Sequence, residues 1–115
     1  MPLDHSALEK YREFMGEDAD AFIADLVQTF LTSAPKALEE MKTLLASEKR
    51  AEFVRAAHTL KSNSATVGAN ELRQLCEMME RQGNTVDAAA LGTLLAQAVQ
   101  EYQQAQNDLK ALLGK

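Results

Sequence analysis

His58 is the residue of this sequence whose type and setting are best suited to chemistry. An imidazole is mostly neutral at pH 7, so one ring nitrogen carries a free lone pair and can act as a nucleophile. On a helix, Lys61, Ser62 and Ala65 would share its face, because residues three, four and seven positions apart lie side by side. Lys61 would offset negative charge gained by the ring, and the two small residues would leave room for a partner's reacting group. This pattern favours group transfer between macromolecules, although by spacing alone a helical histidine is more often an ordinary surface or half-buried residue.

The segment that carries His58 has the pattern of a helix from about Arg50 to Val67, ended by Gly68. Glycine suits the left-handed conformation that closes helices. At 100° per residue, the inward-facing positions fall within an arc of about 80°, and His58 lies about 140° from its centre. We therefore expect His58 on the solvent side, with Arg55, one turn earlier, bordering the same surface. The arc comprises Phe53, Ala57, Leu60, Ser64 and Val67.

The rest of the chain has the composition of helices joined by short connections. A break is predicted at Ser33–Pro35, with Pro35 at the first position of a new helix that ends near a turn at 47–49. Short connections between helices with one apolar face favour antiparallel neighbours. We therefore expect an all-α fold, an antiparallel four-helix bundle with a short N-terminal helix. The other predicted helices run from Asp4 or Ser6 to Met15, from after Glu17 and Asp18 to the break, from Ala69 or Asn70 to Arg81, and from about Val86 to Leu113.

Length, charge and composition limit the number of domains, the kinds of partner and the location that we expect. A chain of 115 residues suits a single domain, 1–115, and its net charge of −5 disfavours contact with nucleic acid or an anionic membrane. Cys76 follows the apolar pattern and is expected to be a buried core residue, and His5, near a terminus that we expect to fray, is expected to be a surface residue. No Cys/His cluster has the spacing of zinc ligands. No apolar run approaches the roughly 20 residues that span a bilayer, and the first residues lack the regions of a signal peptide. We therefore expect a cytoplasmic monomer with no metal or cofactor of its own.

Twelve consecutive residues form the most specific motif of the chain, His58-Thr59-Leu60-Lys61-Ser62-Asn63-Ser64-Ala65-Thr66-Val67-Gly68-Ala69. This segment resembles the signature of histidine phosphotransfer (HPt) domains, in which His-x-Leu-Lys is followed by small residues and then Gly-Ala. The family fold is also a four-helix bundle. The chain departs from many members at Ser62, where they have glycine, and a serine is small enough to preserve access. The likeness continues in the next helix with Leu72, Leu75, Cys76, Glu77 and Glu80-Arg81-Gln82-Gly83.

The resemblance implies that His58 is the phosphorylated residue, that Lys61 supports the phosphoryl group, and that Gly68 allows close helix packing or a turn. Ser62 and Ala65 would assist with phosphoryl binding or docking, and Arg55 would either border the docking surface or be an ordinary solvated basic residue. The chain would then be a phosphorelay intermediate of two-component signal transduction, without ATP-dependent kinase activity of its own. Its donor would be the receiver domain of a hybrid sensor histidine kinase, and its acceptor the receiver domain of a response regulator. The magnesium ion that transfer requires would belong to those receivers.

An alternative interpretation is a non-catalytic helical adaptor that binds signalling partners through the same exposed face, without phosphotransfer. Such an adaptor could keep the fold and lose the histidine. The presence of both His58 and Lys61 at the matching positions argues against it.

Overall fold

A computed structural model describes residues 3–114 and shows five α-helices in that range. Helices α2 to α5 form a four-helix bundle in which each helix packs against the next and α5 returns to α2, while α1 packs against α2 and α3. The predicted all-α bundle with a short N-terminal helix is confirmed. Of the predicted domain 1–115, Met1, Pro2 and Lys115 lie outside the described residues. The helices are α1 (Ser6–Met15), α2 (Ala19–Ala46), α3 (Arg50–Val67), α4 (Asn70–Gln82) and α5 (Ala88–Leu113), with a 3₁₀ turn at Gly16–Asp18.

A single apolar core runs along a bundle that measures 48 × 22 × 20 Å. Full burial of a leucine or phenylalanine side chain contributes about 1.5–3 kcal/mol, so residues such as Phe53 and Leu60 anchor α3 by one face. Cys76 is buried, as its apolar pattern predicted. No helix within 3–114 is both long enough and apolar enough to cross a membrane. The predicted core arc of α3 is confirmed, because every member is buried: Phe53, Ala57, Leu60, Ser64 and Val67.

The break predicted at Ser33–Pro35 is wrong, because α2 continues through Pro35 to Ala46. Proline usually interrupts a helix because it lacks the N–H that would bond the carbonyl four residues earlier, here that of Leu31. In this protein the hydroxyl of Tyr102 on α5 donates to the Leu31 carbonyl at 3.3 Å. The Tyr102 ring also packs against Phe30, with ring centroids 5.8 Å apart. A neighbouring helix thus supplies a donor that the local pattern of α2 does not contain.

The link between α3 and α4 consists of two residues, Gly68 and Ala69. Gly68 has φ +79°, and the N–H groups of Gly68 and Ala69 donate to the carbonyls of Ala65 and Ser64 at 3.2 and 2.9 Å. These bonds form the Schellman arrangement that satisfies the last carbonyls of a helix. A Cβ at position 68 would lie 2.2 Å from the carbonyl oxygen of Asp4, whose N–H donates to the Gly68 carbonyl at 2.8 Å. Both the turn and the close approach of the N-terminal segment therefore require glycine here.

The connection between α4 and α5 is hydrogen-bonded to the first residue of α3. The guanidinium of Arg50 donates to the carbonyls of Gly83 and Val86, each at 2.9 Å. The carboxylate of Asp87 accepts from the N–H of Ala90 at 2.8 Å and caps α5, which begins at Ala88, two residues later than predicted. The Arg50 bonds hold the C-terminal end of α4 against the start of α3, and α4 is the helix that packs most extensively against the helix of His58.

Candidate functional site

The imidazole of His58 lies on the solvent side of α3, as the helical pattern predicted, with 59% of its side chain exposed. Two nearby residues of the same helix, Ala57 and Leu60, are buried in the core and fix the orientation of the helix. The ring is therefore presented on a rigid element and is open to a macromolecular partner. A nucleophile that must meet a group on another protein needs this combination of exposure and fixed position.

Glu80 on α4 joins His58 to Lys61. One carboxylate oxygen, Oε2, lies 2.7 Å from His58 Nδ1, and the other, Oε1, lies 2.6 Å from Lys61 Nζ. The side chains of Glu80 and Lys61 are only 24% and 25% exposed, so both groups sit in the crevice between α3 and α4. The three side chains form one connected network, which we call the His–Glu–Lys bridge.

The His–Glu–Lys bridge keeps the Glu80 carboxylate ionised. The hydrogen bond from Lys61 lowers the pKa of Glu80 below its ordinary value, partial burial acts in the opposite direction, and His58 lowers it further. An opposite charge and a hydrogen bond to the charged form both favour that form. At neutral pH Glu80 therefore carries a full negative charge and has no proton to donate.

This charge state determines which nitrogen of the neutral His58 ring carries the free lone pair. An ionised carboxylate can only accept hydrogen bonds, so the proton in the 2.7 Å contact must reside on His58 Nδ1. In the neutral ring Nε2 then carries the lone pair and points away from Glu80. A carboxylate that fixes the tautomer and orientation of an imidazole in this way also stabilises positive charge that develops on the ring.

The other predicted site residues lie around the imidazole on the same face of α3. Ser62 and Ala65 are exposed and small, and Arg55 is exposed one turn before His58. The hydroxyl of Ser62 donates to the backbone carbonyl of His58 at 3.3 Å, so in this state it is directed at its own helix. Gly68 lies at the end of α3, where it closes the helix and does not contact the ring. The roles of Ser62, Ala65 and Arg55 in phosphoryl support or docking stay predictions.

Glu80 is the site residue that sequence reasoning missed. It lies on α4, in the segment that resembles the family's next helix. Because it is 22 residues away from His58, on a different helix, no spacing within one helix predicts that the two side chains meet. Cys76, one turn earlier on α4, is buried, and burial together with the charge of Glu80 raises the pKa of its thiol to about 12, which disfavours the reactive thiolate. Within the part of the chain that the structure describes, no three His, Cys, Asp or Glu side chains are grouped to hold a metal ion.

Residues 25–112 match the model of the Hpt domain family. The sequence is similar to Multistep phosphorelay regulator 1 of Schizosaccharomyces pombe, with 23% identity over 82 residues. That alignment covers 71% of this chain and 28% of the yeast protein, so the chain spans less than a third of this relative's length. The fold is similar to the crystal structure of a histidine-containing phosphotransfer protein from maize, with a TM-score of 0.85 and 22% identity. That likeness covers 96% of this chain and 80% of the maize protein.

Proposed function

The chain belongs to the Hpt domain family, as its motif predicted, and we propose that it is a phosphorelay intermediate that carries the phosphoryl group on Nε2 of His58. The observation that carries this proposal is the 2.7 Å contact between Glu80 and Nδ1, which leaves Nε2 as the free nucleophile on an exposed ring. The donor is a receiver domain of a hybrid sensor histidine kinase, and the acceptor is the receiver domain of a response regulator. The cytoplasmic location of this exchange stays a prediction.

The transfer consists of two displacements at phosphorus. In the first, the Nε2 lone pair attacks the phosphorus of an aspartyl phosphate, an N–P bond forms, and the P–O bond to the aspartate breaks to release its carboxylate. In the second, an aspartate oxygen of the acceptor attacks the same phosphorus and the N–P bond breaks, which returns the lone pair to Nε2. No proton needs to leave Nδ1 in either step. The magnesium ion that neutralises the phosphoryl oxygens belongs to the receivers, and this chain contributes position and charge.

The His–Glu–Lys bridge suits both directions of transfer. Bonding of Nε2 to phosphorus puts positive charge on the ring, and the Glu80 carboxylate at Nδ1 stabilises that charge. The Lys61 ammonium lies on the same face of α3 as His58 and offsets the negative charge of the incoming phosphoryl group. The carbonyl-directed hydroxyl of Ser62 and the methyl group of Ala65 leave the approach to Nε2 open.

The relay role is tested by phosphoryl transfer from radiolabelled phospho-receiver domains, with magnesium present. We expect label on the wild-type chain that is acid-labile and base-stable, and none on His58→Gln. His5→Gln is the matched control, because it removes the other histidine of the chain, which lies exposed at the N-terminus. Absence of transfer from a broad panel of receivers would refute the relay and favour the adaptor. Labelling of the chain by ATP alone would refute its description as a carrier without kinase activity.

The role of Glu80 is tested separately with Glu80→Ala. A hydrogen bond between charged groups contributes about 1.5–3 kcal/mol, so we expect transfer to slow by about 10-fold to 100-fold. Nitrogen-15 NMR of the imidazole reads the tautomer directly, and the wild type should carry its proton on Nδ1 while the variant shows a mixture. Glu77→Ala is the matched control, since Glu77 lies on the same helix and pairs with Arg81 at 3.6 Å. If Glu80→Ala keeps the wild-type transfer rate and the wild-type tautomer, the role proposed for Glu80 is wrong.

A further inference from the structure

A groove of about 900 Å³ runs between α2 and α5. In the bundle this helix pair is opposite the α3–α4 pair that carries His58, so the groove is on the far side of the molecule from the relay site. Apolar side chains line it, among them Leu38 on α2 and Leu95 and Val99 on α5. Val99 remains 37% exposed, which is high for a large apolar residue on a bundle helix. The relay function described above does not use this surface.

The α5 side of the groove is almost free of charge. The 20 residues from Ala88 to Asn107 include one charged side chain, Glu101, in a chain whose charged content is 25%. About half of these residues are exposed, and the exposed ones are alanine, threonine, glutamine, asparagine and valine. Solvated helix faces normally carry charged residues, whereas the centres of protein interfaces are depleted of them. In its lack of charge, the exposed face of α5 therefore resembles the centre of an interface more than an ordinary solvated helix face.

Gly92 is a second, independent indication. It lies in the interior of α5, where glycine destabilises a helix relative to other residues. A Cβ at position 92 would have no atom within 4 Å, so packing within residues 3–114 does not require glycine. Gly92 lines the groove, and the absence of a side chain there would allow the backbone of a second helix to approach closely.

We propose that the α2–α5 groove is a self-association surface, and that a second copy of this chain occupies it in a two-fold symmetric dimer. Charge favours this occupant, because the rim of the groove on α2 carries Glu39 and Lys42, which are exposed and of opposite sign. If the two α2 helices run antiparallel about a two-fold axis near positions 40 and 41, Glu39 of each copy meets Lys42 of the other. The uncharged α5 faces then meet without repulsion despite the net charge of −5. Both His58 side chains remain on the outer faces.

The dimer is expected to be weak and reversible. Stable interfaces bury about 800 Å² per partner, and a face whose exposed side chains are mostly alanine and glutamine offers little apolar surface to bury. The dissociation constant should therefore lie in about the 10 µM to 1 mM range. This proposal departs from the sequence-based expectation of a monomer, which stays a prediction. It does not depend on the relay function, since one copy contains the whole His–Glu–Lys bridge.

Sedimentation velocity of the chain from 10 µM to 1 mM tests the proposal, with cross-peak shifts in NMR spectra to locate the surface. We expect a concentration-dependent dimer that Glu39→Lys and Lys42→Glu each weaken by about 10-fold, and that the double variant Glu39→Lys/Lys42→Glu restores. Glu52→Lys, an exposed charge reversal on α3, is the matched control and should leave the dimer unchanged.

Gly92→Gln separates association from folding. Glutamine is a better helix former than glycine, so the variant should resist urea better than the wild type, yet its side chain should abolish the dimer. A monomer throughout the concentration range would overturn the proposal and leave the groove to a different protein. A dimer that survives both Gly92→Gln and the single charge reversals would overturn it as well, because the interface would then lie elsewhere.

Discussion

Pro35 and Tyr102 should be energetically coupled, although they lie on different helices. Pro35 cannot supply the N–H that would bond the Leu31 carbonyl, and the Tyr102 hydroxyl donates to that carbonyl instead. The Tyr102 hydroxyl is needed for stability because proline stands at position 35. Replacement of the proline by alanine would give the Leu31 carbonyl a donor within α2, and the tyrosine hydroxyl would become dispensable.

The magnitude follows from the geometry of the bond. Removal of the donor leaves a half-buried carbonyl unsatisfied, and the 3.3 Å distance places the cost at the low end of the usual range, so Tyr102→Phe should lower the free energy of unfolding by about 1 kcal/mol. Pro35→Ala should raise it, because proline in a helix interior costs up to about 3 kcal/mol relative to alanine. In the Pro35→Ala background, Tyr102→Phe should cost less than about 0.5 kcal/mol, which gives a coupling energy near half the full cost or more.

Urea unfolding of the four proteins of this double-mutant cycle, followed by far-UV circular dichroism below 10 µM, measures the coupling. Tyr11→Phe is the matched control, since Tyr11 packs its ring on Phe22 and makes no main-chain hydrogen bond through its hydroxyl within residues 3–114. It should cost the same in both backgrounds. Equal costs of Tyr102→Phe in the wild-type and Pro35→Ala backgrounds would refute the explanation of how α2 passes through its proline.

Three further predictions concern single sites. The pKa of Glu80 is lowered chiefly by its hydrogen bond with Lys61, so its ion pairs stabilise the fold above the ordinary pKa of 4.5 and are lost as pH falls through the lowered value. In urea titrations the difference in stability between wild type and Glu80→Ala should therefore shrink as the pH falls into that acidic range, and a constant difference would contradict this. Ser64→Ala should raise the free energy of unfolding by about 1 kcal/mol, because the buried Ser64 hydroxyl has no partner within residues 3–114, and a loss of stability would show that the hydroxyl is satisfied. Arg50→Met should lower the free energy of unfolding by about 1.5–3 kcal/mol, because the hydrogen bonds from Arg50 to the carbonyls of Gly83 and Val86 are lost. Amide exchange should rise in the same loop, and unchanged protection there would contradict this role of Arg50.

The spacing of residues within one segment was enough to predict the features that a single helix determines. The apolar arc from Phe53 to Val67 fixed the rotation of α3 and hence the exposure of His58, and Gly68 marked the end of that helix. Such features depend on spacing within one segment, which the sequence states directly. Pro35 is a contrasting case, since the same local logic predicted a break. That prediction failed because the compensating donor, Tyr102, lies 71 residues away from the carbonyl that it serves.

The partnership of His58 with Glu80 also depends on two helices, and the link between them explains why it forms. His58 lies nine residues before the end of α3 and Glu80 lies ten residues after the start of α4. In antiparallel helices that rise about 1.5 Å per residue and are joined by Gly68 and Ala69 alone, these two positions are brought to the same level. A longer or displaced link would slide α4 along α3 and move the carboxylate away from Nδ1. Gly68 therefore helps to set the contact between His58 and Glu80 without touching either side chain, because only a residue without a side chain closes α3 so tightly beneath Asp4.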